Sequence, residues 1–236
     1  KKFASSRGIV IYVRDMLARY QPDALRYFIS AAGPETSDAD FTWEEFVRRT
    51  NNELVAGWGN LVNRTASMIH KRFGQIPAAA ELQPIDQELL DQLQAGFGEV
   101  GDLIATHHQK AALAAIMRLV GEANRYVTET EPFKLKAEEE LPRLGTVLWV
   151  LAQAVSDLNL MLSPFLPHSA NAVDKVMGGT GNVAPMPAIE WVDDLDEKNE
   201  DGSPRRYPII TGDYTTAPKW GRREVQPGIV IDKPKP

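Results

Sequence analysis

Three groups of residues in this chain of 236 carry side chains suited to chemistry. The first is a stripe within 41–73, FTWEEFVRRTNNELVAGWGNLVNRTASMIHKRF. At about 100° per residue on a helix, Asn60, Arg64, Ser67 and Lys71 fall within about 60° of one another. A guanidinium is a planar fork of donors that can bond a base edge or lie on a base face, and an amide offers both a donor and an acceptor. An Asn and an Arg four residues apart are thus placed to grip one unstacked base. The second group is the opening KKFASSRG: the short Ser5, Ser6 and Gly8 let backbone N–H groups approach a phosphate, and Lys1, Lys2 and Arg7 bring positive charge. The third is Phe133, an aromatic at an expected helix start beside Lys134 and Lys136, suited to stacking on a base.

Each group has a plainer reading. The stripe alone has the spacing of a solvated helix face, the opening that of a flexible basic loop, and a Phe is more often core. No nucleophile–base pair, paired-carboxylate site or P-loop is present, and the Glu138–Glu140 run reads as a solvated face. The four histidines, His70, His107, His108 and His168, show no metal-ligand spacing, and adjacent His107 and His108 point to different sides of an expected helix. With no cysteine, disulfides and thiolate zinc sites are excluded, and no metal site is expected in this chain.

The net charge of −6 argues against a generic sink for nucleic acid but leaves room for a local basic patch reading a few exposed bases. No apolar run approaches the roughly 20 residues that span a bilayer, so a soluble protein without membrane contact is expected. The opening lacks the apolar run of a secretory signal, and a start at Lys1 reads as part of a longer protein.

The elements that must position these groups are helical. Residues 14–20 and 22–32 read as short helices, with Pro22 in a first turn. Thr42 and Glu45 form a possible capping box opening one long helix to Phe73, whose apolar side gathers Trp58, Leu61, Val62, Ile69 and Phe73. Further helices are expected over 85–107, 111–128, 141–162 and 164–177, with a short segment over 133–140. Long helices joined by short loops indicate a mainly α fold, an antiparallel bundle. From Gly178-Gly179 onwards the Pro, Gly and acidic content indicates an irregular tail. Its Trp191, Tyr207, Tyr214 and Trp220 must be buried on some other surface.

KKFASSRGIVIYVRDMLARYQPDALRYFI resembles the signature loop and following helices of class I aminoacyl-tRNA synthetases, where a K-M-S-K-S loop precedes a D-A-L-R-Y segment. GWGNLVNR and NRYVTETEPFK are similar to methionyl-tRNA synthetases in particular, and the resemblance covers essentially the whole chain. It implies that 1–40 are the signature loop and the connection leaving a catalytic domain. Residues 41–178 would be the anticodon-binding bundle, and 179–236 a tail packing back on the catalytic domain. Asn60 and Arg64 match the family's anticodon-contacting Asn and Arg. Phe133 matches an aromatic, usually Trp, that stacks on the anticodon, so a π face is kept and the indole N–H lost.

In the loop, Lys2 and Ser6 match the signature, while Ser5 stands where the family has its second Lys, the one used on ATP phosphates. The charge building on leaving pyrophosphate needs a cation, which falls to Lys2, Lys1 or Arg7, or to backbone N–H groups. The resemblance further implies ATP as substrate with Mg, tRNA(Met) as partner, a cytoplasmic monomer, and methionine and ATP sites completed by a catalytic half that has no match here. This chain alone is then not expected to aminoacylate. Two other readings stand beside this one: another class I synthetase, for a branched aliphatic amino acid or cysteine, and a non-catalytic helical module binding protein through the 58–73 surface.

Overall fold

A computed structural model describes residues 11–33, 35, 41–184, 188–211 and 220–234, with backbone alone at 188, 189, 195, 210 and 211. Lys2, Ser5 and Ser6 lie outside the described residues. Helices α1 (Val13–Leu17) and α2 (Pro22–Ala32) come first, α2 starting on Pro22, whose fixed φ and missing N–H suit a first turn. Helix α3 (Trp43–Arg49) is capped by Thr42, whose Oγ1 accepts from Glu45 N at 3.2 Å. The Glu45 carboxylate binds Arg48 and Arg49 rather than returning to Thr42.

The single helix expected over 41–73 is interrupted. After α3, residues Thr50–Gly59 form a π-helical segment, and α4 (Asn60–Arg72) follows. Each widened turn adds a residue, so the 100° phase of residues before Gly59 does not carry into α4. A Cβ on Gly59 would stand 3.2 Å from the carbonyl of Leu54, five residues back, so the wide turn favours glycine there. Trp58 is still buried, and the stripe of Asn60, Arg64, Ser67 and Lys71 survives because it lies wholly in α4.

Helices α5 (Pro84–Ala105), α6 (Gln109–Thr130), α7 (Leu141–Leu162) and α8 (Pro167–Val176) complete the helical part. Helices α5 and α6 are antiparallel, as the ion pairs Glu99–Arg118 and Glu88–Arg125 show. Leu61, Ile69, Leu93, Ile116, Leu119, Leu148 and Leu151 fill one large core at 0–1% exposure. A smaller cluster, Met16, Leu25, Phe28 and Phe46, ties α1 and α2 to α3. His107 sits at φ 65° in the turn between α5 and α6 and His108 precedes α6, so neither lies on a helix as expected.

Two further expectations are corrected. The apolar stretch ending at Leu162 is long and apolar enough, by length and composition, to cross a membrane, contrary to the reading of run lengths; 89% of it is buried, which makes it the core of the bundle. The tail is not irregular throughout. Strands β1 (Ala188–Lys198) and β2 (Pro204–Thr211) form an antiparallel hairpin with Trp191 opposite Pro208 and Val192 opposite Tyr207. Ile, Trp and Val in one strand and Tyr and Ile in the other are good strand formers, and Asp201-Gly202 turns the chain with Gly202 at φ 81°. The intervening acidic residues hid this pattern.

Residues 220–234 then run back along the bundle as a strap, covering part of its own surface. Trp220 Nε1 donates to Phe97 O at 2.8 Å, Arg222 Nε to Asp157 Oδ2 at 2.8 Å, and Ile76 N to Ile229 O at 2.8 Å. Trp220 therefore rests edge-on against Phe97 of α5 while staying 41% exposed, and Trp191 and Tyr207 are exposed on the hairpin, so none of the three is buried as expected; Tyr214 lies outside the described residues.

Candidate nucleic-acid interface

Helix α4 buries Leu61, Val62, Thr65, Ala66 and Ile69 and turns its opposite side outwards. Asn60 and Lys71 are exposed on that side, with Arg64 and Ser67 half-buried. Among the described residues, neither the Asn60 nor the Arg64 side chain has a hydrogen-bond or ion-pair partner. Their donors and acceptors are free for a ligand, and a half-buried guanidinium is steadied by the packing of its stem. Ser67 Oγ donates to Asn63 Oδ1 at 3.4 Å on the flank of the same face. His70, Lys71 and Arg72 close the helix, where positive charge meets the negative end of its dipole. His70 is committed to the strap, its Nδ1 lying 2.9 Å from Ile231 O.

Phe133 is not at a helix start. Helix α6 ends at Glu131, which adopts φ 43°, and Pro132, Phe133 and Lys134 form a turn closed by Lys134 N donating to Glu131 O at 2.8 Å. The Lys134 ammonium pairs with Glu131 at 2.7 Å, and Phe133 is left 49% exposed. An aromatic ring held by a turn in this way offers a face to solvent at little further loss of freedom.

A buried polar cluster fixes the end of the bundle that bears this turn. Asp86, fully buried at the start of α5, accepts from Tyr126 Oη at 2.6 Å, from Arg143 Nη2 at 2.9 Å and from Gln83 N at 2.8 Å. Burial alone raises a carboxyl, but here Arg143, Tyr126 and the Gln83 N–H together hold Asp86 below the usual carboxylate range. Burial first, then the hydrogen bond to Asp86 and its charge, push the Tyr126 hydroxyl well above its ordinary value. Tyr126 lies one turn before the end of α6 and Arg143 in the first turn of α7, so one carboxylate ties three helices together.

The structure brings Asn60 and Arg64 together on one face and puts Phe133 on a different element. What relates them is a contact between the two: Asn124 Nδ2 of α6 donates to the carbonyl of Gly57 at 3.3 Å. From there Arg64 is about 10 Å along α4 and the end of α6 about 9 Å along α6, at 1.5 Å per residue. Sequence spacing missed two cations that share a groove with Asn60. Lys175 of α8 and Lys233 of the strap line an open groove of about 840 Å³ whose rim includes Trp58, Asn60 and Asn63. Only the fold brings residues so distant in the chain to α4. Among the described residues, no group of three or more His, Asp or Glu side chains is placed to hold a metal ion.

A family model described as tRNA synthetases class I (M) matches residues 1–66. The chain is 60% identical over its whole length to a methionine–tRNA ligase of Nocardioides sp. (strain ATCC BAA-499 / JS614). It is 57% identical to a ligase of the same name from Kineococcus radiotolerans, again over 100% of the chain. It spans 38% and 39% of the length of these two curated relatives. Among solved structures it is similar to Mycobacterium tuberculosis methionyl-tRNA synthetase in complex with methionyl-adenylate. That match has 27% identity and a TM-score of 0.72, over 77% of this chain and 36% of the other. The apo form of that enzyme matches with a TM-score of 0.75 over 95% of this chain and 40% of the other at 23% identity, which bears on the fold alone. The chain is thus similar throughout its length to methionyl-tRNA synthetases.

Proposed function

We propose that this chain serves a methionine–tRNA ligase as its signature loop and its anticodon-reading bundle. The observation that carries the reading is the Asn60–Arg64 pair, Asn60 exposed and Arg64 half-buried on one helix face, one turn apart and with no side-chain partner among the described residues. In this reading the pair holds an anticodon base of tRNA(Met), and Phe133 stacks on a neighbouring one. Residues 1–40 form the loop and its connection, 41–178 the bundle, and the hairpin and strap the remainder. The whole ligase activates methionine with ATP and Mg and transfers it to the 3′ end of the tRNA. Lys2 meets the ATP phosphates, with Ser5 and Ser6 of the same signature taking part in that step.

Arg64→Ala in a full-length ligase carrying this sequence tests the division of labour. Loss of a base-holding arginine costs about 1–3 kcal/mol, about 5- to 150-fold in kcat/KM for tRNA. ATP–pyrophosphate exchange with methionine is expected to stay unchanged. Lost exchange with unchanged tRNA affinity would contradict the assignment.

A further inference from the structure

The chain keeps wide turns from Thr50 to Gly59 and becomes a regular α-helix at Asn60. Such turns are rare and mostly single, so a run of this length needs support from elsewhere in the fold. At the junction the Asn60 N–H donates to two carbonyls, Val55 O five residues back and Gly57 O three back. Gly57 O also accepts from Asn124 Nδ2 of α6 at 3.3 Å. The same nitrogen carries a second proton, which goes to Val120 O, one turn back on α6, at 2.9 Å. One half-buried amide thus fastens the last wide turn to α6. Two glycines flank the fastening. A Cβ on Gly57 would stand 3.4 Å from Asn52 O and one on Gly59 3.2 Å from Leu54 O, so glycine lets both wide turns close without pushing a carbonyl aside.

The position of this junction matters for the pair that follows it. Burial holds α4 from Leu61 onwards, through Leu61, Thr65 and Ile69, each at 0% exposure. Asn60 lies one residue earlier, exposed, at the junction itself. A wide turn migrates along a helix by exchanging bonds to the fifth residue back for bonds to the fourth, one residue at a time. Were it to move into α4, the turn between Asn60 and Arg64 would span one residue more. Two side chains four residues apart would then no longer stand one above the other.

We propose that Asn124 is a positioning residue for base recognition: through Gly57 O it pins the end of the wide turns immediately before Asn60, and so keeps the Asn60 amide in line with Arg64. This rests on the reading under Proposed function and deepens it. Asn124 acts through the backbone that carries Asn60, not by contact with a base.

Asn124→Ser separates the two bonds of the amide. A serine hydroxyl reaches the carbonyl four residues back on its own helix, as Thr128 and Thr130 do on α6, so the bond to Val120 O is kept and the bond to Gly57 O is lost. The test uses a full-length ligase carrying this sequence. Its readouts are amide hydrogen exchange, thermal midpoint, ATP–pyrophosphate exchange, and affinity for a CAU hairpin and for the same hairpin with a changed anticodon. Expected are faster amide exchange over residues 57–62, a midpoint and a pyrophosphate exchange rate close to the parent's, and CAU affinity down by up to about tenfold, as for one lost hydrogen bond. Affinity for the changed hairpin stays as it was. Adding Asn124→Ser to Asn60→Ala lowers CAU affinity no further, because the group it places is gone.

Unchanged amide exchange over residues 57–62 would overturn the proposal, whatever the hairpins show. So would additive losses in the double variant, or equal losses for both hairpins, which mark a general loosening of the bundle. A parent with no preference for CAU would overturn the anticodon reading together with the role built on it, whereas unchanged amide exchange removes the role of Asn124 alone.

Discussion

Replacing Asp86 with Asn tests the claim that a single buried carboxylate holds α5, α6 and α7 together. The amide keeps an acceptor for Tyr126 or for the Gln83 N–H but removes the charge that pairs with Arg143. Breaking a buried pair by removing one partner costs about 3–5 kcal/mol. The Arg143 side chain is 23% exposed and can recover some hydration, which places the expected loss near the low end, at about 3 kcal/mol. An unfolding entropy of about 2.1 cal/mol/K per residue gives the whole chain about 0.5 kcal/mol/K, so the midpoint should fall by about 6 °C.

The pH dependence provides a second check. Asp86 titrates lower in the folded chain than in the unfolded one, so its contribution is present above the ordinary carboxylate range and is lost as pH falls through its lowered value. The stability gap between parent and variant should hold from about pH 8 to about pH 5 and close at lower pH. Urea titrations across that range, followed by far-ultraviolet circular dichroism, measure it. A gap below about 1 kcal/mol at pH 7, or one that does not narrow in acid, would refute the reasoning.

Three further outcomes are expected. Gly101→Ala would put a Cβ 2.9 Å from Trp220 Nε1, so the indole must leave its bond to Phe97 O; tryptophan emission should shift to the red, as it should not if the strap were loosely placed. Arg222→Met leaves Asp157, only 1% exposed, without its cation. Burial already raises Asp157 against the pull of Arg222, and such a group favours folding only while protonated, so the variant should be least stable, relative to the parent, near neutral pH and approach it towards pH 4 in parallel urea titrations. Phe133→Ala should weaken binding of a CAU anticodon hairpin by about 1–3 kcal/mol, whereas Phe133→Trp should keep it; equal binding by all three would remove Phe133 from the interface.

Much of the helical architecture was legible in the residues. Leu, Val and Ala at helical spacing located α7 to the residue, and Pro22 and Ala32 bounded α2 as read. The Asn60–Arg64 face was legible because both residues fall within one regular helix, where a constant 100° step is valid. The π-helical segment was not, since its widened turns depend on packing, including the Asn124 contact to Gly57 O, which local propensity does not encode. The hairpin was hidden by acidic residues in β1 and by Pro208, which a two-stranded sheet tolerates because both strands are edges. The strap and the α2 contacts were out of reach for a different reason: Arg26 finds Phe165, and Trp220 finds Phe97, across more than a hundred residues.

Under the proposed function, α4 reads an anticodon. The measurement that tests it most directly is the affinity of this chain, shown folded by circular dichroism, for an RNA hairpin carrying CAU beside the same hairpin with a changed anticodon. A preference for CAU that Asn60→Ala or Arg64→Ala abolishes is expected. Equal affinity of the folded chain for both hairpins, untouched by either substitution, would contradict it.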